Sequence, residues 1–132
     1  MNVQLEISTP QKTKYNYKIM PGSEKWLKRF DKLIEKNIDN MSLNNERIAE
    51  EFKVSERQLF RKMKELSGYS PQKYIKRYRL KVALKYFKTG KYRTVKEAAH
   101  AVGFLKVSYF IKQFENEFGK KPLQVLQESG WR

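Results

Sequence analysis

Two stretches of this chain, about fifty residues apart, repeat one another. Ala49-x-x-Phe52-x-Val54 matches Ala99-x-x-Val102-x-Phe104, and Leu59-x-x-x-Met63-x-x-x-x-Gly68-x-x-Pro71 matches Phe110-x-x-x-Phe114-x-x-x-x-Gly119-x-x-Pro122. The offset is 50 before the turn and 51 after it. Each copy reads as a short helix, a tight turn and a second helix with its apolar residues inward, the plan of a helix-turn-helix. Ala49 and Ala99 supply the small residue needed where the two helices cross closely. Gly103 suits the turn because it tolerates positive φ, whereas Lys53 holds that place in the first copy and predicts a less regular turn.

The rest of the chain extends the same pattern. Trp26, Leu27, Phe30, Leu33, Ile34 and Ile38 fall at helical spacing behind Ser23, which predicts a first helix over about Glu24 to Asn37 with Ser23 as its cap. Ser42 or Asn44 caps the second helix, which bears Ile48, Ala49 and Phe52. Ser55 and Gln58 form a capping box for the third, which buries Leu59, Met63 and Leu66 and stops at Gly68. Ser70-Pro71 opens a longer fourth helix reaching about Lys88, roughly 27 Å long. It has an apolar stripe of Leu80, Ala83, Leu84 and Phe87 and a basic ridge of Lys73, Arg77, Lys81 and Lys85. Thr94 caps a fifth helix, a sixth carries Phe110, Phe114 and Phe118 to Gly119, and a short seventh runs from Pro122 to near Trp131. No strand-type alternation appears from residue 23 onward, so the expected fold is all-α, with seven helices. Two helix-turn-helix subdomains, 23–70 and 90–132, flank a linker helix at 71–89, and residues 1–22 form an extended tail or interdomain linker.

Charge then narrows the function. The chain has 132 residues with 29 Lys plus Arg against 14 Asp plus Glu, a net +15, and its 14% aromatic content is too high for a disordered polycation. Nine of the cations and no acid lie between Gly68 and Arg93, while the flanks are nearly balanced. Such a stretch calls for a polyanion, nucleic acid before membrane lipid. There is no cysteine and one histidine, His100, so disulfides, zinc fingers, catalytic triads and HExxH sites are excluded. Glu46, Glu50 and Glu51 lie on helix surfaces without a Gly-rich loop or a base nearby, which argues against an enzyme. No cofactor or metal is expected. No apolar run suffices to span a bilayer and no signal peptide opens the chain, so the expectation is a soluble cytoplasmic protein that makes no membrane contact through this segment.

The stretch from Ser42 to Leu126 resembles the two helix-turn-helix DNA-binding domain of the AraC family of bacterial transcription regulators. The resemblance is carried by Val54-Ser55-Glu56-Arg57-Gln58-Leu59-Phe60-Arg61-Lys62-Met63-Lys64-Glu65-Leu66-Ser67-Gly68, by Ser70-Pro71 and Tyr78-Arg79-Leu80-Lys81-Val82-Ala83, and by Val102-Gly103-Phe104, Ser108-Tyr109-Phe110 and Phe118-Gly119-x-x-Pro122. The first segment is most like the output domains of hybrid two-component sensor/regulators, which implies an upstream receiver or sensor portion and a two-component system. Two departures stand out. Leu105 replaces a serine or aspartate beside the turn, and Val125-Leu126 replace an aromatic-arginine pair, so the capping of the sixth helix is in question.

The resemblance implies that the helices at about 55–67 and 107–118 enter successive major-groove segments of double-stranded DNA, roughly one turn apart. Its base contacts fall on Arg57, Phe60 and Arg61 in the first copy and on Lys106, Ser108, Tyr109, Lys112 and Gln113 in the second. Arginine pairs bidentately with guanine, and Phe60 can pack on a thymine methyl. Asn44, Asn45, Lys73, Lys76, Thr94, Lys120 and Lys121 are the phosphate candidates, while Arg79 is equally suited to an internal ion pair. RNA polymerase is a further expected partner. The competing reading is a basic RNA-binding or ribosome-associated protein, which would share the charge but not the paired helices.

Overall fold

The computed structural model describes residues 22–130, and among these seven helices and no strand occur. They are α1 (Ser23–Lys36), α2 (Asn45–Phe52), α3 (Glu56–Ser67), α4 (Pro71–Thr89), α5 (Val95–Ala101), α6 (Val107–Phe118) and α7 (Pro122–Glu128). The expected tail at 1–22, apart from Gly22, and Trp131 lie outside the described residues. The chain divides into two compact units. The first holds the described residues up to Asn37 together with Ser42–Tyr78, and the second holds Ile38–Met41 with the residues from Arg79 onward.

In the first unit α1 presents Leu27, Phe30 and Ile34 to a core completed by Ile48, Phe52, Leu59, Met63 and Tyr74. Its aromatic centre is tight: Trp26 lies 4.9 Å from Phe52, and Phe30 meets Tyr74 edge-on at 5.5 Å. Two carboxylates of α1 meet tyrosines of α4. The buried Tyr74 hydroxyl donates to Asp31 Oδ1 at 2.7 Å, and the Tyr78 hydroxyl donates to Glu35 Oε2. Burial, reinforced by these carboxylates, pushes both phenols well above the ordinary tyrosine range. In the second unit Leu80, Ala83 and Phe87 of α4 join Ala98, Ala99, Val102, Phe110 and Phe114, with Val125 and Leu126 of α7.

α4 therefore serves two cores, Tyr74, Ile75 and Tyr78 in one and Leu80, Ala83 and Phe87 in the other. This replaces the single stripe expected from sequence: Leu84 is only half-buried, while Val82 is buried. It also disrupts the basic ridge. Lys73 is exposed, but Arg77, Lys81 and Lys85 are half-buried. The Arg77 guanidinium lies over the Tyr69 ring at 4.6 Å.

Several helix ends differ from expectation. α1 is capped by Gly22 at φ 87°, and Ser23 is its first helical residue, with no side-chain cap. Between Ser42 and Asn44, Asn44 is the cap of α2, its side chain accepting from Arg47 N at 2.9 Å. Leu66 is half-buried, and Ser67 is buried beside it, its hydroxyl donating to the Met63 carbonyl at 2.7 Å.

The repeat is reproduced in the backbone. Val54 N donates to Ala49 O at 3.0 Å and Phe104 N to Ala99 O at 2.9 Å; Lys53 N donates to Glu50 O and Gly103 N to His100 O. Both turns are thus the same closure, with Lys53 at φ 56° and Gly103 at φ 90°. The first turn is no less regular than the second; a lysine simply adopts the left-handed conformation there.

Candidate nucleic-acid interface

α3 is anchored by its own ends. Ser55 Oγ accepts from Gln58 N at 3.0 Å, Gln58 Oε1 accepts from Ser55 N at 2.9 Å, and Gly68 closes the far end in the left-handed conformation. With Leu59 and Met63 buried, helical geometry puts Arg57, Arg61 and Lys64 on the opposite face. Arg57 and Arg61 are exposed, Lys64 is half-buried, and Phe60 is 47% exposed with the Lys64 ammonium 6.0 Å from its ring. The structure therefore brings Arg57, Phe60 and Arg61 onto one helix surface and adds Lys64, a residue outside the expected contacts. Its signal was its spacing, three residues beyond Arg61.

α6 is built on the same plan with different contents. Phe110 and Phe114 are fully buried, and Ser108, Tyr109 and Lys112 are exposed on the other side. Lys106 is the N-cap, and its side chain makes no cap hydrogen bond; the uncapped position is therefore Lys106 and not Leu105, the departure noted from the sequence, which lies one residue earlier. Gln113 is half-buried on the flank of the helix, away from the Ser108 and Lys112 face. Leu105, just ahead of α6, is 69% exposed, the most of any large apolar side chain among the described residues, and is not among the expected contacts. α3 carries four cations against two acids, whereas α6 carries Lys112 against Glu115 and Glu117.

The phosphate candidates fare unevenly. Asn44 uses Oδ1 as the cap of α2, which leaves its amide to donate outward. Asn45 is half-buried and tied to α4 by Gln72 Nε2, 2.9 Å from its Oδ1. Lys73 is exposed near the Tyr69 ring, and Lys76 is half-buried. The Thr94 hydroxyl is engaged with Glu97 in capping α5. Lys120 pairs with Glu128 at 2.8 Å, a hydrogen bond that holds the Glu128 carboxyl below its usual range, and Lys121 is exposed at the start of α7.

Arg79 resolves as an internal residue of the second unit. Its Nη2 donates to the Asn40 carbonyl at 2.9 Å, and burial lowers its pKa while Asp39 opposes that shift. Among the described residues no cluster of three or more His, Asp or Glu could hold a metal ion, and no helix is long and apolar enough to cross a membrane.

Two copies of a helix, a Schellman-type turn and a second helix with an exposed polar and cationic face define the class: a helix-turn-helix DNA-binding domain. A family model described as a helix-turn-helix domain matches residues 48–128. The chain belongs to this family, in its AraC-type branch.

A stretch of 101 residues, 76% of this chain, is 32% identical to part of histidine kinase P4 of Formosa agariphila. Another of 85 residues, 64% of the chain, is 32% identical to part of the transcriptional activator RhaS of Escherichia coli O139:H28. The chain spans only 7% of the first protein's length and 30% of the second's. The structure of an AraC-type transcriptional regulator from Chromobacterium violaceum matches with a TM-score of 0.74 at 28% identity, covering 83% of this chain and 96% of that one.

Proposed function

We propose that this chain reads duplex DNA sequence-specifically through α3 and α6, as the non-catalytic output part of a signal-responsive bacterial transcription regulator working in the cytoplasm. The observation that carries this reading is the outward pair Arg57 and Arg61, four residues apart on a helix held at both ends, in a chain whose second unit repeats the arrangement with Ser108 and Lys112. Rigid placement matters because a guanidinium discriminates a base only where its planar fork is held in register. Asn44, Lys73 and Lys121, exposed near helix starts, serve the phosphates, with Lys106 beside the base-reading face of α6. The likeness to part of a histidine kinase supports an output module joined to an upstream receiver or sensor portion.

Mobility shifts test the assignment. Arg61→Ala is expected to lose about 1–3 kcal/mol on a selected duplex and to accept other bases at one position. Lys73→Ala is expected to weaken all duplexes alike and to flatten the salt dependence by about one phosphate contact. Unchanged specific affinity in Arg61→Ala contradicts the assignment. Folded RNA outcompeting duplex DNA at fixed salt contradicts the whole reading.

A further inference from the structure

We propose that the second unit selects thymine, and that Leu105 sets this preference by packing, together with Tyr109, against a thymine 5-methyl group in the major groove. The proposal rests on the reading of the chain as a duplex-DNA reader and deepens it at one unit.

Leu105 precedes the N-cap of α6, Lys106. An apolar residue at that place ordinarily folds back onto the fourth helical residue, here Phe110, and fixes the entry of the chain into the helix. Phe110 has no such need. It is fully buried, with Phe104 at 5.1 Å and Phe114 at 5.7 Å. Leu105 instead stands 69% exposed. Four residues on, Tyr109 is 49% exposed, its ring 6.0 Å from the buried ring of Phe104. One side of Tyr109 is thereby held by the core and the other is presented outward beside the helix start, the part of a recognition helix that meets base edges.

The reading faces of the two units differ in kind. Where α3 has Arg57 and Arg61, α6 has Ser108 and Lys112, and so it lacks the planar fork that pairs with guanine. Each face carries one exposed aromatic side chain, Phe60 on α3 and Tyr109 on α6, and what the second unit adds is the exposed Leu105 just ahead of its helix. The one apolar feature a base edge shows in the major groove is the thymine methyl.

Deoxyuridine pairs as thymidine does and lacks only that methyl group, so single replacements in a duplex selected from a random pool test the contact. The wild-type chain is expected to bind about three- to fivefold more weakly when a contacted thymine is replaced. Leu105→Ala should bind the unmodified duplex more weakly by a similar factor and show a smaller further loss with deoxyuridine at that thymine, Tyr109 keeping its share of the contact. Leu105→Met, apolar and of similar size, should keep the deoxyuridine loss. An undiminished loss in Leu105→Ala at every sensitive thymine, or no loss at any position in the wild type, overturns the proposal. Failure of the wild type to enrich any duplex overturns the broader DNA-reading function instead. That outcome is separable because it precedes any base replacement.

Discussion

At Lys53 and Gly103 the same left-handed backbone is met by two different residues, and the difference is measurable. A Cβ at Gly103 would come within 2.6 Å of the Ile38 carbonyl oxygen, a backbone atom that cannot step aside. Gly103→Ala is therefore expected to cost about 2–4 kcal/mol, from the left-handed conformation and the clash together. Lys53 bears the conformational part alone. Lys53→Gly should raise stability by about 0.5–1 kcal/mol, the relief of φ 56° outweighing glycine's greater entropy loss, as read by urea unfolding. Tyr74 and Tyr78 carry a pH signature. Their phenols are raised in the folded state, so the stability they contribute is whole below about pH 10, where unfolded tyrosine begins to ionise, and is lost as pH rises beyond it. Thermal unfolding across pH 8 to 11 should show a steeper alkaline decline in the wild type than in Tyr74→Phe. Equal declines would show that Tyr74 contributes nothing to the alkaline loss.

Among the elements, α3 and α6 show how a cap divides stability from binding. The capping box of Ser55 and Gln58 was plain in the sequence because both partners lie three residues apart at a helix start. At α6 the cap is Lys106, which offers only donors to a helix end that needs acceptors. Lys106→Asp is expected to stabilise the protein by about 1 kcal/mol in chemical unfolding and to weaken duplex binding in a mobility shift, since the new carboxylate would face phosphates. Stabilisation without loss of binding would free Lys106 of its DNA role.

The helices themselves were legible because their apolar spacing and glycine stops are local signals. The burial pattern of α4 was not: its two halves join different cores, so no single stripe describes Tyr74, Ile75, Tyr78, Leu80, Ala83 and Phe87. The candidate site was legible where the repeat pairs position with position, as at Arg57 and Ser108. It was hidden at Leu105, whose exposure depends on Phe110 finding all its packing within the core.

For the molecule as a whole, the charge count overstates the surface available to a polyanion. The acid-free stretch Gly68–Arg93 holds nine cations, yet Arg77, Lys81 and Lys85 are half-buried and Arg79 is bound to the Asn40 carbonyl. Binding energy then leans on the helix faces, and these are unlike: two arginines with Phe60 on α3, and Leu105, Tyr109 and Lys112 without an arginine on or beside α6. If the two units read DNA with different chemistry, selection of bound duplexes from a random pool will reveal it. The expected result is one asymmetric motif with a guanine-containing element and a distinct element that holds the Leu105-dependent thymine. A palindrome, two identical elements or no enrichment at all would contradict it.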